Sequence, residues 1–262
     1  MNHFTWSLDN DIAELVLSNP PQNRVDEQAV EELATAVDMI GSGSARAVVL
    51  RAEGPDFSFG GAIGAWPDLT VRQLRALFEK YLAAFNRLER LPVPVIAAVQ
   101  GLCFGGGLEL VLRADVVFAG ESSRFGHPEQ SIGLTPLLGG AHRMAARAGW
   151  ARASEWAMTS EQVPAATMAH AGVVNHVVPD GELLSATHSF AAKVASGPTR
   201  AYAATKALMR AWVDGGISVA DNALLDIAMP LFDTDDARRG IPSAINALRA
   251  GKPRPPLRFI GK

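Results

Sequence analysis

The chain has 262 residues, 48% of them hydrophobic and 19% charged, and a formal net charge of -3. Those figures suit one large globular unit, or one unit with an appendage, and a sizeable core. The slightly acidic balance offers no basic face of the kind nucleic acid selects, and a single cysteine, Cys103, excludes an intrachain disulfide and fits a reducing compartment.

The opening Met1-Asn2-His3-Phe4-Thr5-Trp6 lacks the basic-then-apolar layout of a signal peptide. The longest apolar region, Val93 to Ala119, is interrupted by Pro94, a glycine run, Glu109, Arg113 and Asp115. A membrane helix needs about 20 predominantly apolar residues. The expectation is a soluble, cytoplasmic protein with no membrane and no nucleic-acid partner.

Phe4 to Leu8 and Ile12 to Leu17 read as strands around the turn Asp9-Asn10-Asp11. The prolines of Asn19-Pro20-Pro21-Gln22-Asn23 bar a helix, and Asp26 then reads as the N-cap of a helix over Glu27 to Ile40. Ala45 to Arg51 is a buried strand, a glycine-rich loop spans Gly54 to Gly64, and Val71 to Leu91 is a long amphipathic helix. Val95 to Gln100 is the next strand, followed by a short helix over Leu108 to Arg113. Further strands are expected at Asp115 to Ala119, Ser123 to Phe125 and Val173 to Val178, with short helices at Ala141 to Ala148, Arg152 to Met158 and Pro164 to Ala169. From Leu183 the pattern is nearly all helical: Leu183 to Ser196, Pro198 to Val213, Asn222 to Leu231 and Arg238 to Ala250. The tail after Arg249, with Lys252, Arg254, Arg258 and Lys262, reads as solvated. The division expected is an α/β core with the active site over residues 1–195 and a helical region over 196–262.

Three features carry chemistry. Gly105-Gly106-Gly107-Leu108-Glu109 places bare backbone N–H groups at a helix start, where an anion can approach, with a carboxylate in the first turn. Alone it fits better a tight turn into a packed helix, with Glu109 complementing the helix dipole, because glycine runs are weak signals on their own. Phe57-Ser58-Phe59-Gly60-Gly61 is a second glycine loop after a strand, and two such amides converging on one oxygen form an oxyanion hole. Phe125-Gly126-His127-Pro128-Glu129 supplies a second carboxylate, so that two carboxyl groups with separated pKa values can serve as base and acid. His127, two residues from Glu129, reads as a tuner of that carboxylate or as a hydrogen-bonded loop residue. Cys103 reads as core packing, since its surroundings are apolar.

Taken in order, these motifs resemble the enoyl-CoA hydratase/isomerase (crotonase) superfamily over nearly the whole length. Asn19 to Asp26 is similar to the family's first loop, Phe57 to Gly61 to its Phe-Ser-Ala-Gly-Ala, and Gly101 to Glu109 to its Gly-x-x-x-Gly-Gly-Gly-x-Glu. Phe125 to Glu129 with Gly133-Leu134-Thr135-Pro136 resembles its Phe-Gly-x-Pro-Glu and Gly-Leu-x-Pro. The resemblance implies an α/β fold, a crotonase-like spiral of repeated strand-strand-helix units with a helical C-terminal trimerisation region. It implies a homotrimer or dimer of trimers, no metal, no redox cofactor, and coenzyme A as part of the substrate. By the same resemblance Gly61 and Gly106 match the oxyanion donors, Glu109 the glutamate that activates water, and Glu129 the one that protonates the α-carbon. Arg24, Phe59, Gly60, Ala62, Ile63, Phe104, Gly105 and Leu137 fall at substrate-binding positions. The implied activity is reversible hydration of a trans-2-enoyl-CoA to a 3-hydroxyacyl-CoA. Δ3,Δ2 isomerisation, thioester hydrolysis, decarboxylation and a non-catalytic acyl-CoA-binding scaffold stand as alternatives. The chain departs from the pattern at Ala62, usually aspartate, at Phe59, usually small, and at Leu137-Leu138, usually glycine or alanine. It also departs at Arg239, usually glutamate, and near Ala244, where an aromatic is common.

Overall fold

Strands β1 (Phe4–Asp9) and β2 (Ile12–Leu17) form an antiparallel hairpin in the computed structural model, which describes residues 2–262. Asn10 and Asp11 turn it with positive φ, as a tight two-residue loop requires. Asp26 caps α1 (Glu27–Ser42) as the sequence predicts, its side chain accepting the Ala29 N–H at 2.8 Å. Then follow β3 (Ala47–Ala52), α2 (Val71–Glu89) with a Thr70/Gln73 capping box, and β4 (Val95–Val99). Two elements escape the periodicity. These are β5 (Leu102–Phe104) and, later, β8 (Val163–Pro164), both too short to register as an alternating pattern. Between and around them lie α3 (Gly106–Val111), β6 (Val116–Gly120), β7 (Arg124–Gly126), α4 (Gly140–Ala148), α5 (Trp150–Thr159), α6 (Ala165–His170) and β9 (His176–Val178). Strand β9 starts at His176 rather than Val173, because the amides of Val173 and Val174 close a turn on the Met168 carbonyl.

Six strands form one sheet in the order β1-β2-β3-β4-β6-β9, parallel throughout except for the first hairpin. Its central strands are apolar on both faces. Val48, Leu50, Val95, Ala97 and Val99 pack with α1, α2 and α3 in the main core. Ala47, Val49, Ile96, Ala98 and Phe118 pack on the other side against α7 (Leu183–Ala195). That is the double burial expected of parallel strands. A second sheet, β5-β7-β8, sits beyond the C-terminal ends of the first.

The C-terminal region is helical, as expected. Its longest stretch, α8 (Thr199–Ala228), is two helical segments that meet at a kink at Gly216, where φ is 76° and ψ -171°; the expected break after Val213 is present, and the second segment starts before Asn222. A short three-ten turn, Met229–Asp233, leads to α9 (Asp235–Ala250), capped by Thr234. The tail's basic side chains Lys252, Arg254, Arg258 and Lys262 are exposed, as expected, while its backbone end is also held. Asp236, buried, accepts the N–H groups of Ile260 and Gly261, and Arg46 holds the Phe259 and Gly197 carbonyls. Cys103 is buried in the main core, where desolvation pushes its thiol well above the usual range.

Candidate active site

Parallel strands that lie side by side deliver their C-terminal loops to one edge, where open α/β sheets form their ligand crevices. Strands β3 and β4 do this with the two glycine loops. The loops are tied together by a bridge between Ser58 and Cys103. The Ser58 amide donates to the Leu102 carbonyl and the Phe104 amide to the Ser58 carbonyl, at 3.0 and 2.9 Å. Val25 pairs with Gly61 on the far side of the first loop, its amide donating to the Gly60 carbonyl.

The contact leaves two amides, Gly61 N–H and Gly106 N–H, without a protein acceptor among the described residues. Gly106 is the first residue of α3, where helix geometry orphans the donor. A Cβ built on Gly106 would lie 3.5 Å from the Gly61 nitrogen, so the two donors are neighbours. Glycine is required just before: Gly105 sits at φ 48°, and a Cβ there would meet the Glu129 carboxyl at 2.9 Å.

Glu109 lies in the first turn of α3 and is 2% exposed. Its Oε1 accepts the amides of Leu138 at 2.7 Å and Gly140 at 2.8 Å, at the entry to α4. Burial raises its pKa; the two amides and the more distant Arg113 and Arg143 offset part of that rise. Glu129 arrives by another route. Strand β7 pairs with β5, the Gly105 amide donates to the Gly126 carbonyl, and Pro128 starts a three-ten turn, Pro128–Ile132, that carries Glu129. Burial and the nearby Glu109 push its carboxyl up to about 7. Two carboxyl groups therefore share one cavity, and neither ionises as readily as in water.

His127 packs behind both. It is 3% exposed and its Nδ1 is 3.7 Å from Glu129 Oε2, beyond hydrogen-bonding distance. Both ring nitrogens and Glu129 Oε2 are buried without a partner. Burial lowers the imidazole pKa to about 4, so the ring is neutral at ordinary pH.

The cavity has a volume of about 290 Å³. Gly61, Gly106, Glu109 and Glu129 all line it, with Arg24, Phe59, Gly60, Ile63, Phe104, Gly105 and Leu137 from the expected binding set. Ala62 is the exception. It does not line the cavity, because its amide donates to the Val25 carbonyl as the chain turns into the three-ten segment Ile63–Asp68. Sequence reasoning missed Val25, Trp66, Phe78, Tyr81, Pro128, Ser131 and Ile132 as lining residues. Phe78 and Tyr81 were legible only as part of the apolar face of α2. Trp66 stands over Gly61 and packs edge-on against Phe78, with ring centroids 5.2 Å apart.

A family model described as enoyl-CoA hydratase/isomerase matches residues 7–244. The chain belongs to that family. It is 28% identical over 244 residues to the mitochondrial enoyl-CoA hydratase of Pongo abelii, covering 92% of this chain and 83% of that protein. It is 29% identical to the short-chain-enoyl-CoA hydratase of Clostridium acetobutylicum, over 75% of this chain and 76% of that one. The crystal structure of an enoyl-CoA hydratase from a Polaromonas species superimposes with a TM-score of 0.88 at 25% identity, covering 97% and 99% of the two chains.

Measured against the family's usual pattern, the bulky departures sit in the cavity wall. Phe59 packs edge-on against Phe104, with centroids 6.3 Å apart. Leu137 and Leu138 avoid positive φ; Gly139, at φ 88°, takes the left-handed position of this enoyl-CoA hydratase/isomerase loop. The Leu138 side chain is buried in the main core, and its amide remains available to Glu109.

Proposed function

We propose that the chain is an enoyl-CoA hydratase, adding water reversibly to a trans-2-enoyl-CoA to give a 3-hydroxyacyl-CoA. The observation that carries this reading is the pairing, in one cavity, of two unclaimed amides with two buried carboxyl groups. The thioester oxygen accepts from Gly61 and Gly106 as it gains negative charge. Glu109, held through Oε1, takes a proton from water as the oxygen bonds to the β-carbon. Glu129 delivers a proton to the α-carbon, and the double-bond electrons supply that new bond. The raised pKa of Glu129 supports the acid role, because a large share of it keeps its proton near neutral pH. The relatives' printed names agree with this reading.

The apolar wall of Val25, Ile63, Trp66, Phe78 and Ile132 suits an unsubstituted acyl chain. No metal and no redox cofactor is needed, and coenzyme A enters with the substrate. Among the described residues no helix is long and apolar enough to cross a membrane; the cytoplasm is the compartment we propose. The exposed apolar residues of α8, among them Met209, Trp212, Val213, Ile217 and Leu225, support assembly as a homotrimer or dimer of trimers. The test is to incubate short- and medium-chain 2-enoyl-CoA with the protein and follow loss of the conjugated thioester absorbance. Turnover on one of them supports the reading; none on any chain length refutes it.

A further inference from the structure

We infer that Arg113 is a positioning residue for Glu109, acting through the Leu138 peptide group. The inference rests on the hydratase reading above for what Glu109 does. Arg113 follows α3 and is 1% exposed, the largest fully buried side chain of the described protein. A guanidinium there carries a desolvation cost that an apolar residue of similar size would not. Its contacts explain its presence. Nη2 donates to the Leu138 carbonyl, and Nη1 donates to Asn86 Oδ1 and, at 2.9 Å, to Glu89 Oε2. Leu138 is thus held at both ends. Its carbonyl accepts from Arg113, and its amide donates to Glu109 Oε1.

The arrangement forms a chain of contacts, Glu89 to Arg113 to the Leu138 peptide to Glu109. It joins the end of α2 to the loop entering α4 and to the first turn of α3. Arg143 of α4 fixes the outer end by forking onto Glu89 at 2.9 and 2.7 Å. The loop at 137–140 is where this chain carries leucines in place of small residues. Arg113 sets that loop so that two amides fall on Oε1 of Glu109, and Oε2 is left for water. The titratable groups around Glu109 are Arg113 and Arg143 with their shared partner Glu89 and the neutral His127, all packed behind it, and Glu129 on the cavity side.

Arg113→Met removes the clamp without orphaning Glu89, which keeps the Arg143 fork. Arg113→Lys keeps a positive charge, but one ammonium cannot span Glu89 and Leu138 as the guanidinium does. Misplacement of this kind costs about 100-fold in rate. The expected result for Arg113→Met is a kcat about 100-fold lower with KM nearly unchanged. The low-pH limb of the rate profile moves to higher pH, since a positive charge that favours the Glu109 carboxylate is gone. Arg113→Lys restores the limb but only part of kcat. An unchanged kcat in folded Arg113→Met, a loss matched by the lost folded fraction, or full rescue by lysine would each overturn the inference. A second measurement separates this from the hydratase reading: the carbon-13 titration of Glu109 in substrate-free protein. The clamp predicts a higher titration midpoint in Arg113→Met, and an identical midpoint contradicts it. A wild-type protein that hydrates no enoyl thioester would refute the hydratase reading, while this titration would still judge the clamp.

Discussion

Glu129 is the residue whose environment has the clearest measurable consequence. In the unfolded chain its carboxyl ionises near its ordinary value of 4.5, whereas in the folded protein it keeps its proton up to about 7. The folded state therefore binds the extra proton, and stability present below pH 4.5 is lost as the pH rises to about 7. At 1.36 kcal/mol per unit the loss is at most about 3 kcal/mol. Glu129→Gln escapes it. The variant's melting temperature is expected to match the wild type at pH 4.5 and exceed it at pH 8, as calorimetry at the two pH values would show. As the acid in hydration, Glu129 also predicts a forward rate that falls as pH passes about 7. His127, with a pKa near 4, stays neutral throughout this range. His127→Gln should therefore leave the upper limb where it is, whatever it does to the maximum rate. The carboxylates were legible in the sequence through their motifs. The dry environment that raises Glu129 was not, because it is made by residues distant in the chain.

At the scale of elements, the site depends on short pieces that periodicity does not reveal. β5 has three residues, yet it ties the two glycine loops together and pairs with the strand leading to Glu129. The glycine runs announced both loops and the family resemblance named Gly61 and Gly106; what holds those two amides side by side followed only once Ser58 was seen against Cys103. The first position of α3 gives a direct test. Proline is tolerated at a helix N1 position but has no N–H. Gly106→Pro is expected to lower kcat by about 100- to 1,000-fold with an unchanged circular dichroism spectrum, the cost typical of one lost oxyanion donor. The pinned C-terminus is a second case. The tail's composition suggested solvation, and its basic side chains are exposed; the hold was not legible, because Asp236 is far from it in sequence and accepts two of its amides at 2.7 and 2.8 Å. Asp236→Ala should reduce unfolding free energy by about 2 kcal/mol in a denaturant titration, in line with hydrogen bonds to a charged group.

For the whole molecule, the order of strands and helices up to β4 was readable because buried parallel strands and a capped amphipathic helix leave strong patterns. The C-terminal region was readable as helical and as broken after Val213, where α8 kinks at Gly216; the start of its second segment was not, because no buried face marks it. A helix with no fully buried residue that exposes Trp212, Val213, Ile217 and Leu225 predicts self-association. Light scattering should give about three or six times 27.8 kDa; a monomeric mass would refute the proposed assembly. The central claim is that both carboxyl groups of one cavity act on a thioester held between Gly61 and Gly106. The measurement that tests it most directly is the hydration rate of a 2-enoyl-CoA by wild type, Glu109→Gln and Glu129→Gln. The account predicts turnover by the wild type and a loss of at least about 100-fold in each variant. A wild-type rate retained by either variant would contradict it.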